Sequence, residues 1–215
     1  MEEFFIQNAS AIFGLVGAFL GGLLAFVASW MIKNREYSLR IWQILLERRI
    51  KAHENLINIA MEMRVMVGLG KDENGEVARA PQVLISREEF EQWFTRFAQL
   101  TQEGSTWLTI KAKREVNFVQ DYLVTLHTNL ASVPSGRFLA IGQVVRNDFI
   151  ELSSELEKSA YDYFETQIRK RKLAKLGDWH KYPREHTESR LARTDLLSNW
   201  DSVQEAANGD GPELR

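Results

Sequence analysis

Phe4–Ile32, FFIQNASAIFGLVGAFLGGLLAFVASWMI, carries no ionisable side chain, and from Ala9 onward it is almost unbroken Ala, Gly, Leu, Val, Phe and Ile. At 1.5 Å of rise per residue, Ala9–Ile32 extends roughly 36 Å as a helix, enough to cross a ~30 Å hydrocarbon core. A buried helix of a soluble protein rarely needs such a length without charge, so the stretch reads as a transmembrane span within 1–33. A secretory signal peptide would need a basic start and a shorter apolar core. This chain starts with Glu2 and Glu3, and no A-x-A-like site follows before Trp30. Lys33, Arg35, Arg40, Arg48, Arg49 and Lys51 crowd the C-terminal flank against only Glu36 and Glu47. The positive-inside rule then predicts a single-pass protein, N-terminus out and C-terminal domain cytoplasmic.

The span is patterned around its circumference. Gly17, Gly21, Ala25 and Ser29 fall four apart, and Gly14, Ala18 and Gly22 run beside them. Phe13, Leu15, Val16, Phe19, Leu20, Leu23, Leu24, Phe26 and Val27 cover the rest. Small residues at this spacing let two backbones approach closely. Glycine is frequent in membrane helices generally, but an anchor facing lipid alone needs no such asymmetry. The expected partner is therefore the protein itself, as a homo-oligomer of tetramer size or similar, besides membrane lipid.

Composition adds bounds. The 215 residues are 45% hydrophobic and 26% charged with net charge −2, which leaves room for one soluble domain beside the span and excludes a generally basic nucleic-acid coat. The absence of cysteine rules out disulfides, thiolate metal sites and a cysteine nucleophile.

Along the chain, 34–70 reads as a stalk helix through Leu39, Trp42, Leu46, Leu56, Ala60, Met63 and Val67, ending at Gly68-Leu69-Gly70. Arg49 and His53 occupy the same seam, where apolar residues are expected. Residues 71–85 form a loop with Asn74-Gly75 as turn signal and a weak strand signal at Gln82–Ile85. Ser86-x-x-Glu89 is a capping box opening a helix to Glu103, with the stripe Phe90, Trp93, Phe94, Phe97 and Leu100. Ser105 or Thr106 caps a third helix through Ala131. After Val133-Pro134-Ser135-Gly136, a fourth runs from Arg137 to about Leu176, and the two make an antiparallel hairpin. The bundle thus occupies 71–176, and a C-terminal tail, 177–215, holds one amphipathic helix over Glu188–Ala206. The expected fold class is all-α: one N-terminal transmembrane helix continuing into a long stalk helix and a cytoplasmic antiparallel helical bundle.

No Walker A loop, dinucleotide fingerprint, H-E-x-x-H or G-x-S-x-G motif occurs. His53, His127, His180 and His186 are not paired at metal-ligand spacing. Neither catalytic residues, nor a metal, nor a cofactor are expected, and the chain reads as a non-enzyme. The informative feature is charge segregation. Asp148, Glu151, Glu155, Glu157, Asp162 and Glu165 make the start of the fourth helix acidic, whereas Arg169, Lys170, Arg171, Lys172 and Lys175 make its end basic. Trp179, Lys181, Tyr182 and Arg184 then interleave aromatic and basic groups, and Lys111, Lys113 and Arg114 follow Trp107. Cations contact phosphates while aromatic faces stack bases, so these residues predict a site for a nucleotide or a single-stranded oligonucleotide. The same cations also suit a helix C-terminus or an anionic lipid surface.

Two functions fit. Copies assembled through the Gly17/Gly21/Ala25 face would form an ion-conducting pore, closed by dewetting and gated by ligand on the cytoplasmic domain, with Glu2 and Glu3 favouring cations. Alternatively, a membrane-anchored helical scaffold recruits a partner protein to the inner face. One glycine-rich span followed by a helical domain without enzyme motifs resembles the small membrane effectors of bacterial anti-phage defence, and among these the Hailong-type membrane effectors. The resemblance implies an oligomeric channel of the bacterial inner membrane, controlled by the nucleotide or oligonucleotide products of a partner nucleotidyltransferase, whose opening depolarises the infected cell.

Overall fold

The computed structural model describes residues 9–71, 77–168 and 184–208. They are mostly helical, with eight α-helices and one two-stranded hairpin among them. The chain divides into two compact units, Met1–Arg48 and Arg49–Arg215. The first holds the N-terminal part of α1 (Ala9–Arg64), a 56-residue helix. Its apolar side chains are exposed, from Phe13 through Phe26 to Ile32, and so are Tyr37, Leu39, Trp42 and Ile44 further along.

In the second unit α1 is a core element. Leu56, Ile59, Ala60 and Met63 are buried. The helix ends at Arg64, not at Val67 as its sequence predicts, because Met66–Lys71 forms strand β1 against β2 (Val77–Pro81). The antiparallel register pairs Met66 with Pro81, Val67 with Ala80 and Gly68 with Arg79, then slips before Lys71 meets Val77. Gly70 lies in the slipped stretch with φ of 100°, a conformation that glycine alone adopts without strain. The pair Gly68 and Gly70, expected to end a helix, instead lies within a strand, at the slip in its register. The hairpin is the departure from the all-α expectation. The strand anticipated at Gln82–Ile85 is likewise displaced: Gln82–Leu84 is a 3-10 turn whose Val83 and Leu84 are buried.

Ser86 caps α2 (Arg87–Gly104), its side chain accepting from the Glu89 N–H at 3.2 Å, which is the forward half of the expected capping box. Phe90, Trp93 and Phe97 turn into the core. The next helix, α3 (Ile110–Asn129), is capped by neither Ser105 nor Thr106 but by Thr109, whose Oγ1 accepts from the Ala112 N–H at 3.2 Å. The residues between form a tight turn in which the Trp107 N–H bonds the Gly104 carbonyl, so the extended residue that can cap comes later.

The fourth predicted helix is broken. A 3-10 turn, Ser135–Arg137, leads into α4 (Phe138–Val144) and α5 (Arg146–Tyr163), followed by a π-helical turn, Phe164–Ile168. Its expected continuation to Leu176 lies outside the described residues. The break falls at Val145, φ −89° and ψ 9°. Here α4 packs against the hairpin: a Cβ on Gly142 would meet Ala80 Cβ at 3.1 Å and Leu84 Cβ at 3.3 Å. α5 packs chiefly on α3 and only in part on β2, so the two halves follow different partners. The tail helix expected over Glu188–Ala206 is three: α6 (Arg184–Leu191), α7 (Asp195–Ser198) and α8 (Trp200–Asn208). One contiguous core joins α1, α2, α3, α4, α5, α7 and α8, each buried large apolar side chain contributing about 1.5–3 kcal/mol.

Candidate functional site

The small-residue face of α1 is open. A Cβ built on Gly14, Gly17, Gly21 or Gly22 would meet nothing within 4 Å, and Ala18, Ala25 and Ser29 are exposed. The helix includes a stretch of mean hydropathy 2.1, none of it buried, long and apolar enough to cross a membrane. Such a row offers a neighbouring helix a shallow groove with room for close backbone approach.

The predicted ligand residues fare differently from one another. Arg169, Lys170, Arg171, Lys172, Trp179, Lys181 and Tyr182 lie outside the described residues. Lys111, Lys113 and Arg114 are together in the first turns of α3, where the positive end of the helix disfavours cations. Lys111 is offset by an ion pair with Asp162 of α5. Lys113 is half-buried and Arg114 exposed. Arg184 is exposed and bonds Glu188 at 3.0 Å along its own helix.

A cavity of about 430 Å³ opens where α3, α5 and α6 meet, lined by Glu115, Phe118, Asp148, Glu151, Glu155, His186, Arg190 and Arg193 among others. Arg190 lies over the Phe118 ring at 3.8 Å and is held by both Glu115 oxygens at 3.0 and 3.3 Å. With Arg190 paired to Glu115, Arg193 donating to the Ser189 carbonyl and four carboxylates in the lining, this hollow is poorly suited to phosphate. Asp148, on its floor, is buried and receives three hydrogen bonds: Tyr122 Oη at 2.9 Å, Asp195 N at 2.7 Å and Leu196 N at 2.9 Å. Burial raises its carboxyl above the usual range, against the pull of those bonds. The same burial, together with the Asp148 charge, pushes the Tyr122 phenol well up. The sequence places Asp148 in the acidic run at the start of the fourth helix. Its position one before Phe149 and four before Leu152 on the apolar stripe was the available signal.

The seam of α1 delivers a second polar cluster. His53 is fully buried, its Nδ1 2.7 Å from the Arg49 carbonyl, while the Thr109 N–H donates to Nε2 at 3.3 Å. Its ring stacks on Tyr163, centroids 3.9 Å apart at 15°. Arg49 sits over the same tyrosine at 5.2 Å and bonds the Trp107 carbonyl through Nε at 3.3 Å. Burial lowers the His53 pKa from 6.5 to about 4, with Arg49 adding to the effect and the bond to its carbonyl opposing it. Among the described residues no group of His, Cys, Asp and Glu is arranged to hold a metal ion. Searches of family models, curated proteins and solved structures find no match to the chain.

Proposed function

We propose that the chain is a single-pass membrane protein whose copies assemble through the small-residue face of α1 into an ion-conducting pore, gated by a nucleotide or oligonucleotide on the cytoplasmic helical domain. The observation that carries this reading is the open row from Gly14 to Ser29 on a fully exposed apolar helix. Lipid alone would cover such a helix equally well with large side chains, whereas the glycines give up packing surface that only a second backbone restores. The inner membrane, an outward N-terminus, cation preference and a role in anti-phage defence beside a partner nucleotidyltransferase belong to the same proposal. Ion flux from liposomes holding the purified protein tests it. Flux that responds to added nucleotides or short oligonucleotides supports the reading, and liposomes that stay tight under every addition overturn it.

A membrane-anchored scaffold is the second reading. It is favoured by the internal pairing of Lys111 with Asp162 and of Arg184 with Glu188, which leaves less cationic surface for phosphate. Gly17→Leu separates the two. A scaffold keeps its membrane location and its partner, whereas a pore loses assembly and flux together.

A further inference from the structure

Most of the α1 residues that face the bundle are apolar, yet two polar side chains, Arg49 and His53, are buried where three segments converge. These are α1, the turn between α2 and α3, and the end of α5 with its π-helical turn. The hydrogen bonds fix the state of the imidazole. A backbone N–H can only donate, so Nε2, which receives Thr109 N–H, carries no proton. The ring proton is therefore on Nδ1 and is donated to the Arg49 carbonyl. Tyr163, against which the ring stacks, closes α5, and its hydroxyl is buried without a hydrogen-bond partner. Phe164 stands edge-on to the same imidazole at 6.3 Å and begins the π turn, a rare backbone form often found at functional positions.

We propose that this cluster is a proton-released latch: neutral His53 ties α1 to the α2–α3 turn and to the end of α5, and a proton taken at Nε2 releases it. The proton turns Nε2 into a donor that faces another donor, the Thr109 N–H. It also puts a second cation beside the Arg49 guanidinium. Among the described residues, the charged and titratable groups facing His53 are Arg49 from its own helix and Tyr163 from α5. The α2–α3 turn contributes backbone and Phe164 a ring, so among the described residues no carboxylate faces the new charge on the imidazole.

The sign follows from linkage. A histidine that titrates near 4 when enclosed and near 6.5 when released favours the closed latch fully above pH 6.5. That preference is lost as pH falls from 6.5 toward 4. In all, protonation shifts the equilibrium toward release by about 300-fold, tenfold per unit between the two values, of which about 80-fold falls between pH 6.5 and pH 4.

Amide hydrogen exchange on the full chain in lipid nanodiscs, from pH 7.5 to pH 4 and corrected for intrinsic rate, tests the latch without reference to conductance. Protection of 105–112 and of 49–56 should fall by about 80-fold between pH 6.5 and pH 4, while the Ile141–Leu156 stretch holds. In His53→Gln, which does not titrate, protection at 105–112 should be flat across the same window. Flat protection in the natural chain, or the same fall in His53→Gln, would overturn the proposal. Should that variant not fold, nitrogen-15 histidine spectra of the natural chain decide. His53 with Nε2 unprotonated at pH 5.5 is expected, and a protonated His53 in a chain still protected at 105–112 contradicts the latch. Ion flux plays no part in these readouts, so a pore that fails to conduct leaves the latch standing, and the reverse holds too.

Discussion

Asp148 shows how far a single residue's role can depart from its neighbourhood in the sequence. It lies in an acidic run, yet it is buried and gathers Tyr122 from α3 and two backbone N–H groups from the start of α7. Removing the carboxylate leaves three donors without an acceptor in a site that water reaches poorly, so Asp148→Ala should cost about 3 kcal/mol or more. A urea unfolding midpoint measures this in the Arg49–Arg215 unit, with Glu151→Ala, on the exposed side of the same helix, as the control expected to change stability by less than about 0.5 kcal/mol. An Asp148→Ala loss as small as the control's would show that the carboxylate does not hold α7. At this scale Arg49 and His53 were legible, because two polar residues on an apolar seam are anomalous in the sequence itself. For Asp148 only the burial was legible, from its place beside the apolar stripe, and not its partners, which stand 26 to 48 positions away.

Elements were legible by existence and less so by their ends. The apolar stripes of α1, α2, α3 and α5 put Leu56, Phe97, Leu123 and Leu156 in the core, as their spacing predicts. The ends were set by tertiary partners. α1 gives way at Arg64 to a strand because Val77–Pro81 is there to pair with it. The long fourth helix breaks at Val145 because α4 meets the hairpin while α5 meets α3. The tail splits because Asp148 takes the N–H groups that a continuous helix would have used. Arg87 is a device of the same kind. Its guanidinium donates to the carbonyls of Ala131 at 2.9 Å, Leu130 at 3.0 Å and also Val133, closing the end of α3 from the start of α2. Arg87→Ala frees those carbonyls and should lower stability by about 1–2 kcal/mol. Exchange should speed up locally at 126–134, and a loss spread evenly over the whole unit would contradict a role specific to that helix end.

For the whole molecule, the strongest signal in the sequence, an uncharged apolar run followed by a basic flank, is matched by an exposed helix of the length and hydropathy a membrane requires. The predicted ligand site is legible only in part, since its densest cations fall outside the described residues and the described ones are divided between ion pairs and exposed surface. In the proposed assembly the row of small residues joins copies of the chain, and self-association is the central claim. Native mass spectrometry of the intact protein released from mild detergent tests it most directly, with Gly17→Leu beside it. The natural chain should appear as one closed oligomer of tetramer size or similar, and Gly17→Leu should shift at least half of it to smaller species, since a leucine on that row blocks backbone approach. A natural chain that flies only as monomer, or a Gly17→Leu variant with an unchanged oligomer, would contradict assembly through this face.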